Sequence, residues 1–313
     1  MPLDPQAQML CDLANAMPPA PDDATLAETV EQTRAGWGML MAMGGGEPTP
    51  MHAVEDRDAD GVPVRVYRPV PGDALPILAF LHGGGWTIGS VEQYDLLARR
   101  LASAAGAVVV SVDYGLAPEH PFPAAVEDCH RAVAWVAAHA ADVGGDAARL
   151  AVAGDSAGGN LSAVCALLAR DEGGPRLALQ VLVYPAVDGD LERGSYERNG
   201  KGYLLERDTM QFFYECYAGK GADLSDWRIA PLRAADLHGV APAVVITAEF
   251  DPLCDEGEAY AASLRDAGVP VEHRRYDGMI HGFFGMPAVF DASRDAIDFV
   301  ATELRRAFGT LDN

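Results

Sequence analysis

Gly154-Asp155-Ser156-Ala157-Gly158 is the stretch that decides the fold. It joins a short apolar run, residues 150–153, to an apolar-rich segment with helical spacing, residues 160–169. A serine between two glycines at a strand-to-helix junction is typical of a nucleophile elbow. The sharp turn predicts a positive φ at Ser156, with the flanking glycines removing Cβ atoms that would collide. The serine hydroxyl would stand at a helix N-terminus, which favours developing negative charge.

Strands and helices alternate along most of the chain. Apolar runs predict strands over residues 62–66, 76–82, 108–114, 150–153, 177–184, 243–247 and 269–276. Helical patterns lie between and after them, over residues 92–105, 124–141, 160–169, 255–267 and 293–308. This alternation predicts an α/β fold whose mostly parallel central sheet is covered by helices on both faces. The first strand has valines at alternate positions, which predicts an antiparallel or edge strand.

Two segments interrupt this alternation. Residues 1–45 have helical spacing and no strand pattern, whereas residues 186–225 insert a loop and an aromatic-rich helix between two strands. We interpret the two segments as one helical cap. The remaining residues, 46–185 and 226–313, then form the main α/β domain, which contains the serine elbow and would be the catalytic domain.

Composition excludes several classes of protein. The 313 residues are 49% hydrophobic and 22% charged, as in a globular protein. A net charge of −23 argues against nucleic acid or anionic lipid as partners. The five cysteines are widely spaced, which favours neither a zinc site nor a disulfide framework. Neither a signal-peptide pattern nor an apolar run of about eighteen residues is present, so we expect a cytoplasmic protein without stable membrane association.

An elbow serine requires a base, an acid that orients it, and an oxyanion hole. In α/β-hydrolases the acid and then the histidine follow the serine along the chain. Asp251 and His281 each follow a predicted strand, so both are expected at the sheet edge where open α/β sheets place their sites. Glu249 and Asp255 are alternatives to Asp251, although Asp255 is more simply explained as a helix N-cap.

A glycine-rich loop precedes the elbow. Gly83, Gly84 and Gly85 follow the buried strand 76–82, and consecutive glycines leave backbone N–H groups able to point at one oxygen. With the N–H of Ala157, this loop predicts an oxyanion hole, and the spacing leaves open which glycines donate. An earlier triple glycine, residues 44–46, follows no strand and is interpreted as a flexible loop.

Together these motifs resemble the hormone-sensitive-lipase-like family, the bacterial family IV carboxylesterases of the α/β-hydrolase superfamily. The matching motifs are His82-Gly83-Gly84-Gly85-Trp86, Asp113-Tyr114, Leu116-Ala117-Pro118-Glu119, His120-Pro121-Phe122-Pro123-Ala124-Ala125, Gly154 to Asn160, Asp251-Pro252-Leu253, Asp255-Glu256-Gly257 and His281-Gly282-Phe283. The resemblance implies hydrolysis of short- to medium-chain esters without metal or cofactor, and it favours Gly84 and Gly85 as donors. Many members pair as dimers through their last strand, which is here residues 269–276.

These patterns assign a role to each polar residue. Ser156 is the predicted nucleophile, His281 the general base and then acid, and Asp251 the group that orients the histidine. His82 is predicted to position the loop, and Asp155 to be structural. One departure from the family is Gly115, which stands where an arginine is usual; we expect it to affect loop packing and not the chemistry.

Large apolar side chains are candidates for lining an ester pocket. They are Trp37, Met41, Trp86, Phe212 and Phe213. For each of them, ordinary packing within the cap is the alternative. Three other functions remain open: an amide or peptide hydrolase with the same triad, a true lipase, and a non-catalytic receptor on the same scaffold.

Overall fold

The computed structural model describes residues 2–16 and 23–311. Eight strands are present in this part of the chain: β1 Ala53–Ala59, β2 Val62–Arg68, β3 Leu75–Leu81, β4 Val108–Val112, β5 Gly145–Asp155, β6 Leu177–Val183, β7 Ala243–Phe250 and β8 Val271–Ile280. They form one sheet in the order β1-β2-β4-β3-β5-β6-β7-β8. The pairs β1–β2 and β2–β4 are antiparallel, and all other neighbours are parallel.

The described helices are α1 Pro5–Asn15, α2 Leu26–Gly45, α3 Asp95–Ala105, α4 Ala124–Ala138, α5 Ala157–Asp171, α6 Gly194–Asn199, α7 Arg207–Ala218, α8 Cys254–Asp266 and α9 Asp291–Phe308. Successive side chains of a strand point to opposite faces of the sheet. On β3, Ile77 and Ala79 therefore pack in the core with α4, α5 and α8, whereas Leu78 and Phe80 pack with α3 and α9. The predicted mostly parallel sheet with helices on both faces is confirmed. No helix within residues 2–16 and 23–311 has the length and apolarity that crossing a bilayer requires.

The antiparallel end of the sheet contains one strand that the sequence did not predict. The strand with alternating valines, β2, is antiparallel, which is one of the two predicted possibilities, and it lies inside the sheet. The edge position belongs to β1, which the sequence pattern missed because its centre is the charged run Glu55 to Asp58. Charged side chains on an edge strand discourage pairing with another chain.

Both predicted cap segments contain helices in the part of the chain that the structure describes. The first contains α1 and α2, and its residues 17–22 lie outside the described part of the chain. The second contains α6 and α7. The side-chain amide of Asn15 donates to the carbonyl oxygen of Gly202 at 3.4 Å, so the segments contact each other. Their action as a single cap stays a prediction.

The interpretation of residues 44–46 as a flexible loop is wrong. Gly44 and Gly45 are the buried last residues of α2, and only Gly46, with φ +76°, leaves the helix. A Cβ at Gly44 would come within 2.5 Å of the Met286 side chain, and one at Gly45 within 2.4 Å of the Leu96 side chain. These glycines therefore allow α2 to pack closely against the catalytic domain.

Candidate active site

The elbow turn separates β5 from α5 and places a serine at the carboxyl edge of the sheet. Ser156 has φ +56° and ψ −119°, the positive φ that the two flanking glycines predict. A Cβ on Gly154 would lie 2.3 Å from the backbone of Gly158. A Cβ on Gly158 would lie 1.9 Å from the carbonyl oxygen of Leu81. The glycines are thus required because the turn packs directly against the end of β3.

The structure brings Ser156, His281 and Asp251 together. Oγ of Ser156 lies 3.0 Å from Nε2 of His281, within hydrogen-bonding distance. Nδ1 of the same ring donates to Oδ2 of Asp251 at 2.7 Å. The N–H of Leu253 donates to the other oxygen of this carboxylate, which is fully buried. This arrangement fixes the imidazole with Nε2 facing the serine, as a general base requires.

The two other acids near Asp251 face elsewhere. Glu249 accepts a hydrogen bond from the N–H of Gly278 at 2.8 Å, and Asp255 forms an ion pair with Arg198. Asp255 is not an N-cap as predicted, because α8 begins at Cys254 and Asp255 lies in its first turn.

Tyr184, which directly follows β6, contacts His281, the candidate base. The sequence did not reveal this contact. The ring centroid of Tyr184 lies 4.5 Å from that of His281, and the residue is buried, with φ +34°. A tyrosine that ends an apolar strand has no distinguishing sequence signal. Its contact with the imidazole adds to the restraint from Asp251.

The predicted oxyanion-hole donors divide into two groups. The N–H of Gly83 donates to Oδ1 of Asp155 at 2.9 Å, so the structure removes Gly83 from the candidate donors. Gly84 and Gly85, with φ +118° and +56°, line the same cavity as Ser156. Within residues 2–16 and 23–311, the N–H groups of Gly84, Gly85 and Ala157 donate to no protein acceptor. Three backbone donors therefore remain for an oxyanion.

Asp155 links the elbow to the glycine loop, which agrees with its predicted structural role. Its carboxylate is 3% exposed and accepts hydrogen bonds from the N–H of Gly83 and, at 3.1 Å, from the hydroxyl of Tyr94. Burial raises the pKa of Asp155 to about 6, and the opposing charge of His281 limits the rise. The carboxylate ties the glycine loop to the elbow.

His82 lies beneath the glycine loop. Its Nδ1 donates to the carbonyl oxygen of Gly83 at 2.8 Å, and its ring stacks on that of Tyr114 with centroids 4.4 Å apart. Burial lowers the pKa of His82 to about 4, because a charged imidazole is poorly solvated there. A neutral ring that binds the loop backbone fits the predicted positioning role.

A cavity of about 420 Å³ opens at Ser156. Its walls include residues of α1, α2, α7 and the loop before α7 as well as the glycine loop, so both predicted cap segments contribute to it. Of the predicted pocket residues, Trp37 and Phe213 line this cavity. Phe212 is not among the lining residues, since adjacent residues of a helix point about 100° apart. The sequence missed the lining residues Ala14, Thr29, Gln32, Thr33, Gly36, Leu40, Ile88, Leu204, Leu205 and Thr209.

Met41 and Trp86, also predicted to line the pocket, lie elsewhere. Met41 is buried one turn beyond Trp37, where α2 packs against Gly285. Trp86 is fully buried with its ring stacked on Tyr217 at 4.5 Å. Both side chains belong to the packing between the helical segments and the catalytic domain, whereas the alternative offered by the sequence was packing within the cap.

Gly115, the departure from the family pattern, does not line the cavity. Its N–H donates to Oδ2 of Asp128 at 3.0 Å, and a Cβ there would lie 3.0 Å from Cβ of His120. A side chain at this position would therefore require His120 to move by a few tenths of an ångström.

A family model described as the α/β-hydrolase fold matches residues 78–285. The chain belongs to this family. The carboxylesterase NlhH of Mycobacterium tuberculosis is 43% identical over 97% of this chain and 96% of its own. The ethyl acetate hydrolase of Pseudomonas putida is 41% identical over 80% of each chain. The solved structure of a hyperthermophilic esterase from the archaeon Pyrobaculum calidifontis is 42% identical, with a TM-score of 0.91 over 98% of this chain and 99% of that chain. The predicted fold and the predicted membership among hormone-sensitive-lipase-like carboxylesterases are confirmed.

Proposed function

We propose that the protein is a serine carboxylesterase that hydrolyses carboxylic esters through an acyl-enzyme intermediate. The observation that carries the proposal is the 3.0 Å contact between Oγ of Ser156 and Nε2 of His281 at the cavity. The predicted activity agrees with the names of relatives such as the carboxylesterase of Mycobacterium tuberculosis.

In the first step, Oγ of Ser156 attacks the ester carbonyl carbon while Nε2 of His281 takes the hydroxyl proton. The carbonyl oxygen becomes an oxyanion that accepts hydrogen bonds from the N–H groups of Gly84, Gly85 and Ala157. Each such donor is worth about 3 kcal/mol of barrier. Asp251 stabilises the imidazolium that forms, through its hydrogen bond with Nδ1.

In the second step, the carbon–oxygen bond to the alcohol breaks and His281 gives its proton to the leaving oxygen. The acyl group is then bonded to Ser156. A water molecule attacks the acyl carbon, with His281 again taking a proton. Collapse of the second tetrahedral intermediate releases the carboxylic acid and returns the proton to Oγ of Ser156.

Short- to medium-chain esters are the proposed substrates. The cavity of about 420 Å³ is at the small end of ligand pockets. Trp37, Leu40 and Phe213 provide apolar walls. We further propose that residues 1–45 and 186–225 act as one cap, because residues of both line this cavity.

Two finer proposals concern the protein's surroundings. We propose a homodimer that forms through β8. This strand is the last one of the sheet, and no described strand pairs with its outer edge. The sequence predicted the strand over residues 269–276, and the structure has it over Val271–Ile280. Sedimentation velocity over a range of concentrations tests the dimer, and a monomer at every concentration would contradict it.

We also propose a cytoplasmic location. The five free cysteines in the described chain support this proposal, because disulfides are rare in the reducing cytosol. Cell fractionation tests the location.

The central experiment compares the wild type with Ser156→Ala on p-nitrophenyl esters of increasing acyl length. Loss of the nucleophile lowers kcat by about 10⁶-fold in a related type of triad, so we expect the variant to be inactive but folded. A fluorophosphonate probe should label the wild type only. Full activity of the variant would refute the mechanism. If the wild type is folded but is neither labelled by the probe nor active, the receptor alternative is favoured. If it hydrolyses a matched amide faster than the ester, an amide hydrolase is favoured.

A further inference from the structure

Two of the four glycines in α2, Gly44 and Gly45, are required by close packing, because a Cβ would come within 2.5 or 2.4 Å of a neighbouring side chain. A Cβ at Gly38 would come within 2.8 Å of the side-chain nitrogen of Gln93, which is the movable end of a flexible side chain. The fourth, Gly36, is different. A Cβ there would meet no heavy atom within 4 Å, and its position inside the helix requires no unusual φ.

Glycine in a helix interior destabilises the helix relative to alanine. At Gly36 this loss of helix stability has no structural reason, because no close neighbour would collide with a Cβ and the backbone conformation does not require glycine. The open space lies at the cavity that contains Ser156, because Gly36 is one of its lining residues. The missing side chain therefore leaves volume where a substrate would bind.

The position is central in this wall of the cavity. Thr33 and Leu40, about one turn before and after Gly36, line the same cavity. The walls also include Leu205, and Thr209 from the first turn of α7. An arm of the ester that extended along this face of α2 would therefore lie against Gly36.

We propose that Gly36 is a specificity-determining residue, whose lack of a side chain makes room for the longer arm of a linear ester between α2 and α7. The inference rests on the proposed ester hydrolysis. An apolar pocket discriminates by about tenfold or more for each methylene that it accepts or excludes. A side chain at Gly36 should therefore shorten the longest arm that the enzyme accepts and affect the shortest esters least.

The test uses Gly36→Ala, Gly36→Leu and the control Ala35→Leu, which places the same leucine side chain at the adjacent, exposed position of α2. Two substrate series separate the arms: p-nitrophenyl esters from acetate to decanoate, and acetates of alcohols of increasing length. We expect Gly36→Leu to lower kcat/KM for p-nitrophenyl acetate less than for any longer ester. Relative to that loss, kcat/KM for the long members of one series should fall by at least a further tenfold. Gly36→Ala should be intermediate, and Ala35→Leu should match the wild type.

Equal chain-length profiles for Gly36→Leu and the wild type in both series would overturn the inference. The inference would also be overturned if kcat/KM fell equally for short and long esters in both Gly36→Leu and Ala35→Leu. If Gly36→Leu fails to fold, Gly36→Ala carries the test, because alanine is well tolerated in a helix. Failure of the proposed function looks different: the wild type itself would hydrolyse no ester in either series, and a fluorophosphonate would not label Ser156.

Discussion

The backbone N–H of Gly83 donates a hydrogen bond to Oδ1 of Asp155 over 2.9 Å. This bond connects the loop after β3 to the residue directly before Ser156. The hydroxyl of Tyr94 donates to the second oxygen of the same carboxylate. Asp155 thereby restrains the first of three consecutive glycines, and the two that follow keep their N–H groups free of protein acceptors among the described residues.

Asp155→Ala should reduce kcat about 10- to 100-fold with little change in KM. The variant loses a hydrogen bond to a charged group, worth about 1.5–3 kcal/mol, that orients the oxyanion donors. Asp155→Asn keeps an acceptor for Gly83 and should retain most of the activity. Steady-state kinetics with a p-nitrophenyl ester measure the effect, and a thermal unfolding curve checks the fold. A wild-type kcat in Asp155→Ala would show that the bond does not organise the loop.

Gly158→Ala should destabilise the protein by more than about 4 kcal/mol. Its Cβ would lie 1.9 Å from the carbonyl oxygen of Leu81, a backbone atom that cannot move without disturbing β3. Gly36→Ala is the matched control, because its Cβ meets nothing within 4 Å. It should stabilise the protein by about 0.5–1 kcal/mol. Equilibrium unfolding in urea measures both, and similar values for the two variants would contradict the packing argument.

The unfolding free energy should depend on pH through His82. Its pKa is about 4 in the folded protein, against about 6.5 for an unfolded histidine. The unfolded chain therefore binds the proton first, and stability is lost as pH falls from about 6.5 towards 4. The pKa difference of His82 changes the unfolding free energy by at most about 3 kcal/mol. Relative to the wild type, His82→Asn should lose less stability between pH 7 and pH 4, and parallel pH profiles would contradict this.

Asp155 should act in the opposite direction over a similar range. Its pKa of about 6 exceeds the value of about 3.9 for an unfolded aspartate. Its stabilising contribution is therefore full below pH 4 and is lost as pH rises through 6. Relative to the wild type, Asp155→Asn should gain up to about 3 kcal/mol of stability between pH 4 and pH 7. Urea unfolding at several pH values tests this, and a difference independent of pH would refute it.

Local patterns were sufficient for much of the fold. Apolar runs and helical spacing predicted the parallel strands and most of the helices that cover them, because these patterns report burial directly. They failed at β1, because the charged centre of this strand carries no apolar signal. The segment is extended because it pairs with β2. They also failed at Gly44 and Gly45, since a run of glycines looks the same in a loop and at a close helix contact.

By itself, the sequence determined the chemistry that the site can perform. The elbow glycines, the order of Ser156, Asp251 and His281, and the loop after β3 are local patterns, each placed by the strand that precedes it. Only the tertiary structure decided that Gly83 is engaged by Asp155 and that Gly36 stands open in the cavity wall. Both facts depend on how closely segments far apart in the chain approach each other, and side-chain spacing within one segment does not encode that distance.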